Sequence, residues 1–383
     1  MTSLDRSLDV EALIAHTRSL WREASGRVSK GRVEVYAKAS LRRRAARSRQ
    51  DKRPTIDGVL ETGLAVRTLG DGGDRAGFAA SSGLSIDSVR WAVDTAAGSS
   101  ACASPAAPDH TQPIENERRD LDPDTRLPSA EELNAEVGSR SHVEWVEAGI
   151  TVEILVGGSG WVAARRRNRV WALAGGATPE LSAQRGIRGW KDVLKPHGPH
   201  PNSTDSSELT LLPGAAAVLV SALTEHFHGS EPAEWVGAGA GWEVEDQPSH
   251  PSGLVGGTFD DVGFATGSRQ LAKGGIWVGA LRGAGTFRRS SFREPPTEMA
   301  SNLVVPSAPE GPAAGRIVRH CNLLRLSARV WVVELDFPNG EKTWARTTPQ
   351  DLLDGCQGRM GVSELAAVGP IVPAIRLSVS GSG

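Results

Sequence analysis

The stretch that decides the fold runs from LTLLPGAAAVLVSALTEHFHG (209–229) through GGTFDDVGFATGSRQLAKGGIWVGAL (256–281) to RRSSFREPPTEMASNL (288–303). Its opening predicts a helix. Pro213 suits the first turn, where its missing N–H would be unpaired anyway. Ala215, Val218, Leu219, Ala222, Leu223 and His226 then recur at helical spacing, and Gly229 stands where a helix would stop. The middle predicts an acidic turn, a basic strand, a Gly-Gly hairpin and an apolar strand.

Working outward, Val10 to Trp21 predicts an amphipathic helix with Leu13, Ile14, His16, Thr17 and Trp21 near one face. Arg32 to Ala39 alternates as a half-buried strand, and the basic run LRRRAARSRQ after it reads as a solvated strand face. Leu60 to Ala80 reads as a hairpin about a Gly-rich turn. Ser85 is the expected N-cap of a helix to Ala97, and Ser129 of another with Glu131 and Glu132 in its first turn. Residues 98–129 between them, rich in Pro, Ser and Asp, read as a flexible loop. Trp145 to Trp171 alternates as two strands about a Gly-Gly-Ser-Gly turn, the outer one carrying Arg165, Arg166, Arg167 and Arg169. The polar segment 197–207 is the expected domain boundary. Ala328 to Asp336 and Glu341 to Arg346 predict a hairpin about Pro-Asn-Gly, with a short helix from Thr348 and Cys356 in a turn beyond it. The expected fold is α+β in two domains. Residues 1–205 form a sheet with helices, and residues 206–383 are mostly strand with one prominent helix.

The order of these pieces resembles the TldD/PmbA family, also called TldD/TldE. Phe259, Asp260, Asp261 and Gly263 match its F-D-D-x-G pattern. Arg288, Arg289, Ser291, Arg293, Pro295 and Pro296 match R-R-x-S-x-R-x-P-P, followed by Asn302–Leu303. Near the N-terminus, Glu61, Gly63, Val66 and Arg67, then Asp71–Gly73, then Gly77, Phe78 and Ala79 match a second family segment. The resemblance implies a helix that, in TldD-type zinc metallopeptidases, carries H-E-x-x-x-H. Here Ser221 stands at the first His and Ala222 at the Glu, and only His226 remains. The family's late G-V-C-G segment corresponds to Val368, Gly369 and Pro370, with no Cys.

Zinc catalysis needs protein ligands, an open position and a nearby base. The resemblance therefore implies a TldE/PmbA-like chain with no catalytic residue and no metal of its own. Zinc is expected in a TldD-like partner, and unfolded or leader peptides as substrate. Asp260, Asp261, Arg288, Arg289 and Arg293 are then expected to form an interface or chamber wall. Trp235, Trp242 and Trp277 are candidate interface anchors, with packing inside the chain's own core as the alternative. The C-terminal domain reads as shorter than is typical of the family.

Two other classes stay open. Glu225, His226 and His228, with His250 further on, could form a metal site of a self-sufficient hydrolase if the helix ended near Leu223; otherwise these histidines sit favourably at a helix C-terminus. A peptide-binding protein without a protease partner is the third class. There is no H-E dipeptide, no G-x-S-x-G, and no Lys-Ser or Lys-Thr after the GAGAG of 237–241, so zincin, nucleophile-elbow and P-loop readings fall away.

Composition agrees with this. The chain has 383 residues, 43 Lys plus Arg against 45 Asp plus Glu, and a net charge of −2, which gives no nucleic-acid surface. Three scattered cysteines, Cys102, Cys321 and Cys356, offer no disulfide framework. No apolar run reaches the ~20 residues that span a membrane. The N-terminus does not read as a signal peptide, so a cytoplasmic protein is expected.

Overall fold

The computed structural model describes residues 8–29, 31–47, 54–70, 76–99, 117–123, 126–158, 160–174, 180–195, 208–227, 243–274, 276–279, 281, 283, 285–307, 315–327, 330–349, 351–352, 356–365 and 370–378. The expected boundary 197–207, His228, Gly229, Trp235, the GAGAG run, Trp242, Val368 and Gly369 lie outside them.

The first part of the chain folds as α1 (Val10–Arg27), β1 (Arg32–Arg47), β2 (Pro54–Leu69), β3 (Ala76–Ser82), α2 (Ile86–Gly98), β4 (Glu117–Leu121), α3 (Ala130–Ser139), β5 (Val143–Gly157), β6 (Trp161–Ala174) and β7 (Glu180–Arg185). The strands form one sheet in the order β3-β2-β1-β5-β6-β4, with β7 also on β6. Ser85 and Ser129 cap α2 and α3 as expected, the latter through a full capping box with Glu132. Helix α1 runs beyond Trp21, because Leu20 and Ala24 continue its buried stripe.

Alternation gives this sheet two unlike faces. Ala39, Leu64, Val66, Val152, Ile154, Val162, Ala164 and Val170 face the helices, packing with Leu13, Ile14, Leu20, Val89, Val93, Leu133 and Val137. The register puts Glu34, Tyr36, Lys38, Ser40 and Arg42 of β1 on the other face, beside Thr151 and Glu153 of β5 and Arg165, Arg167 and Arg169 of β6.

The second part adds β8 (Glu208–Leu211), α4 (Pro213–Phe227), β9 (Val244–Asp246), β10 (Arg269–Lys273), β11 (Ile276–Trp277), β12 (Phe287–Arg288), β13 (Thr297–Glu298), β14 (Leu303–Val304), β15 (Arg316–Val318), β16 (His320–Arg325), β17 (Trp331–Asp336), β18 (Lys342–Thr347), β19 (Cys356–Leu365) and β20 (Ile371–Ser378). Eight strands form a second sheet in the order β11-β10-β9-β14-β20-β8-β15, with β19 on β20. Strands β16, β17 and β18 form a separate antiparallel sheet. Helix α4 buries Ala215, Ala216, Ala217, Leu219, Val220, Ala222 and Leu223 in one core with Leu271, Trp277, Val305, Cys321, Trp331 and Ile375. The fold is α+β, and no helix among the described residues is long and apolar enough to cross a membrane.

Four expectations change. Segment 98–129 is not loop throughout: β4 pairs parallel to β6 from Glu117↔Val162 to Leu121↔Arg166. Its polar ERRDL sequence hid a strand whose acidic side chain answers arginines of the neighbour. Strand β6 is consequently interior, not outer, with β5 on one side and β4 and β7 on the other. Cys356 begins β19 rather than sitting in a turn. The basic run after Ala39 continues β1, and only part of it is solvated. Arg42 is exposed, whereas Arg47 donates from Nη2 to Val137 O and Arg140 O, satisfying carbonyls at the end of α3.

Candidate functional site

On α4 the expected metal-motif positions do not form a metal site. Ala222 is buried in the core and offers no donor atom; Ser221 beside it is half-buried. Glu225 forms an ion pair with Arg325 at 2.7 Å, and the same guanidinium donates to Ala222 O at 3.2 Å. His226 meets the ring of Trp331 edge-on, with centroids 5.4 Å apart. Burial, followed by the Arg325 cation, holds the His226 imidazole below its ordinary pKa. A fixed cation beside the helix end opposes a second one. Among the described residues no group of three His, Cys, Asp or Glu side chains is placed to hold a metal. The described residues of α4 offer no complete donor set for a zinc ion.

The second candidate cluster turns out to be a joint within the chain. Asp260 and Asp261 are buried, not exposed on a wall. Asp260 Oδ1 accepts from the N–H groups of Val262 (3.0 Å) and Phe264 (2.9 Å). Its Oδ2 accepts from Gly285 (2.8 Å) and Phe287 (3.3 Å). One carboxylate therefore ties two loops together. Asp261 Oδ1 pairs with Arg165 Nη1 of β6 at 2.7 Å, while Oδ2 accepts from Arg289 N at 2.7 Å. Burial alone would raise the Asp261 carboxyl; the Arg165 and Arg288 cations overrule it and hold it below the usual range.

Beside this pair, Arg165 also donates to Phe259 O and lies over the Phe259 ring, 4.7 Å from its centroid. Arg167 Nη2 bridges Asp120 of β4 (2.5 Å) and Gly256 O (2.9 Å), and Asp120 accepts from Thr258 N at 2.7 Å. Gly257, at φ +154, passes so close that a Cβ would stand 2.1 Å from Asp120 Oδ2. Asp122 receives Arg185 at 2.7 Å, and Arg185 Nη1 reaches His250 O at 3.4 Å. Apolar contact completes the seam: Tyr36, Ala65, Leu155 and Ala163 of the first sheet pack with Phe259 and Phe292.

The remaining predicted residues have structural roles. Arg288 is buried and donates to Ser301 Oγ, Phe287 O and Gly285 O. The Arg289 guanidinium sits 4.9 Å from the Tyr36 ring centroid and 5.5 Å from that of Phe78. Arg293 is exposed and reaches Ser82 Oγ at 3.4 Å. Asn302 donates from Nδ2 to Gln247 O, Pro248 O and Val255 O and accepts from Val255 N. Trp277 is 1% exposed inside the α4 core, so the interface-anchor reading of it is replaced by core packing. The sequence reading missed the open part of the charged sheet face, where Lys38, Thr151, Arg169 and Trp171 are half-buried and Arg42 is exposed. The signal was the alternation of Arg165, Arg167 and Arg169, which places all three on one face.

Comparison with solved structures bears on the fold. TldE from Thermococcus kodakarensis superposes with a TM-score of 0.65 at 13% identity, over 95% of this chain and 98% of that one. A candidate modulator of a DNA gyrase from Thermotoga maritima gives 0.60 at 12% identity, over 96% and 99%. A candidate modulator of DNA gyrase from Bacteroides thetaiotaomicron gives 0.60 at 13% identity, over 95% and 97%. These likenesses show a shared fold across nearly the whole chain. The expected shortness of the C-terminal part is not found, since almost all of each neighbour is covered. No family's sequence profile matches the chain, and no curated protein is significantly similar to it in sequence.

Proposed function

We propose that this chain is a TldE/PmbA-like non-catalytic subunit. It joins a TldD-like chain that carries H-E-x-x-x-H and zinc, in a cytoplasmic heterodimer that cleaves unfolded or leader peptides; maturation of a peptide natural product is one such setting. The observation that carries the reading is Ser221 and Ala222 on α4 of a TldE-like fold, where the peptidase motif has its His and Glu. With Ala222 sealed in the core, this helix supplies neither a ligand nor a base there. The subunit contributes scaffold and chamber surface, and the partner contributes the chemistry.

Exposed apolar side chains suited to a partner lie elsewhere than expected. Leu324, Leu326 and Trp344, 56%, 60% and 61% exposed, stand on or beside the outward face of the β16–β18 sheet. The test is co-expression with an H-E-x-x-x-H chain encoded beside this one, followed by size measurement and a peptidase assay. A stable complex whose activity needs both chains is expected. Full activity of the other chain alone, with no complex at micromolar concentration, would overturn the proposal. So would chelator-sensitive turnover by this chain alone.

A further inference from the structure

We propose that two copies of this chain pair through the open edge of β2, antiparallel and with Gly58 on the two-fold axis. Strand β2 has 16 residues, but β3 covers only 63–69 of them. Among the described residues no strand pairs with the outer edge of 54–61, and residues 55–60 are all exposed. The edge of β3 is treated differently: Ser99, just past α2, accepts from Phe78 N at 3.3 Å through its hydroxyl. Which backbone groups face the open side of β2 follows from its ladders. Thr62 O accepts from Gly83 N at 3.2 Å on the β3 side. The register with β1 is unbroken from Leu69 to Pro54, so Leu60, Gly58, Ile56 and Pro54 point their backbone groups the same way as Thr62. Pro54 fits this assignment, because its missing N–H then falls on the open side and costs the β1 ladder nothing.

The donors and acceptors on this edge complement those of a second copy. Two features interrupt the row: Pro54 has no N–H, and Thr62 O is already taken by Gly83. Antiparallel pairing about Gly58 sets Pro54 opposite Thr62 of the other copy, so the absent donor meets the occupied acceptor. Ile56 then exchanges two hydrogen bonds with Leu60 of the other copy, and Gly58 exchanges two with its twin. A shift of two residues in either direction loses this match. The side chains accept the same register. Ile56 and Leu60, 43% and 39% exposed, stand opposite Ala45 and Leu41, on the face that α3 covers. Each meets the other across the axis as an apolar cross-strand pair. On the opposite face Asp57 meets Val59 and Glu61 meets Thr55, so no two carboxylates stand directly opposite. A Cβ at Gly58 would have nothing within 4 Å, so the axis is uncrowded. An open edge is a template for another strand, and 54–62 carries no lysine or arginine to blunt it. Pairing of two copies is independent of the subunit reading, whose suggested partner surface lies on the β16–β18 sheet.

Sedimentation velocity on the purified full chain, from about 1 to about 100 µM, should show a concentration-dependent dimer. Gly58→Pro removes the N–H at the axis and leaves the β1 ladder intact, because that N–H faces away from β1. It should weaken dimerisation at least about tenfold, with the thermal midpoint of the dilute chain nearly unchanged. Ile56→Lys combined with Leu60→Lys changes only exposed side chains, sets like charges opposite each other across the axis, and should weaken dimerisation to at least the same degree. Gly58→Cys should give a disulfide-linked dimer on mild oxidation that the native chain does not, since paired residues on the axis have Cα atoms about 5.5 Å apart. Leu60→Cys, about 14 Å from its twin in this register, should not. A chain that stays monomeric at about 100 µM would overturn the proposal, whatever other strand can occupy the edge. So would a dimer untouched by both Gly58→Pro and the double lysine variant, or Leu60→Cys linking as readily as Gly58→Cys.

Discussion

Asp260→Asn is the sharpest test of the view that the F-D-D-x-G segment is a structural joint. The substitution is nearly isosteric and removes one acceptor oxygen. In the native chain each oxygen receives two backbone N–H groups, Val262 and Phe264 at one and Gly285 and Phe287 at the other. Whichever way the amide turns, two donors then face an NH₂ group in a site with no solvent exposure. Each stranded donor costs about 1–3 kcal/mol, so about 2–6 kcal/mol is lost in total. That is a large part of the 5–15 kcal/mol typical of folded proteins. Urea unfolding followed by tryptophan fluorescence reads the loss as a lower midpoint at similar slope. Asp57→Asn, at an exposed position of β2, serves as control and should change stability by less than about 0.5 kcal/mol. A loss below about 1 kcal/mol for Asp260→Asn would refute the reasoning, since the four hydrogen bonds would not be holding the loops.

Three further outcomes are expected. Asp261 and Asp120 both titrate below the ordinary carboxylate value, where Arg165 and Arg167 outweigh burial. Their stabilisation is complete above about pH 4 and is lost as pH falls through the folded value, so acid unfolding should be less steep in Asp261→Asn than in the native chain. Gly63→Ala would put a Cβ 2.3 Å from the Phe292 ring and should cost about 1–3 kcal/mol by overpacking the seam, read by thermal unfolding. Trp344→Ala should leave the isolated chain's stability nearly unchanged but weaken partner binding by about 2 kcal/mol, roughly thirtyfold by titration, if the outer β16–β18 face is the interface.

Local signals carried much of the fold. Helix α4 was legible from its apolar period and Pro213, α2 and α3 from their serine caps, and the β17–β18 turn from Pro-Asn-Gly. What escaped depends on partners far away in sequence. ERRDL has no strand signal of its own; it is a strand because β6 lies beside it. The sequence places Arg165 and Arg167 on an outer strand, yet they are buried, and Asp261 and Asp120 meet them from 96 and 47 residues away. Trp277 could be assigned to core or interface only once α4 and β10 were seen to enclose it. Likewise the sequence alone could not show that Arg325 pairs with Glu225 or that Trp331 meets the His226 ring.

The same geometry separates what the motif segments say about fold from what they say about chemistry. Asp260 ties loops, Asp261 anchors Arg165, Arg288 holds Ser301, and Asn302 gathers the backbone about Val255. Every one of these contacts is internal to the chain, and none needs a metal or a substrate to account for it. A chain could lose catalysis altogether and still require these residues to fold, because each leaves a buried charge or donor unanswered when removed. Their presence therefore argues for the scaffold alone. The functional reading rests instead on two positions of α4. These are Ser221 and Ala222, which offer neither a ligand nor a base. A peptidase helix would spend its inward positions on ligands; here α4 spends Ala222 on the core.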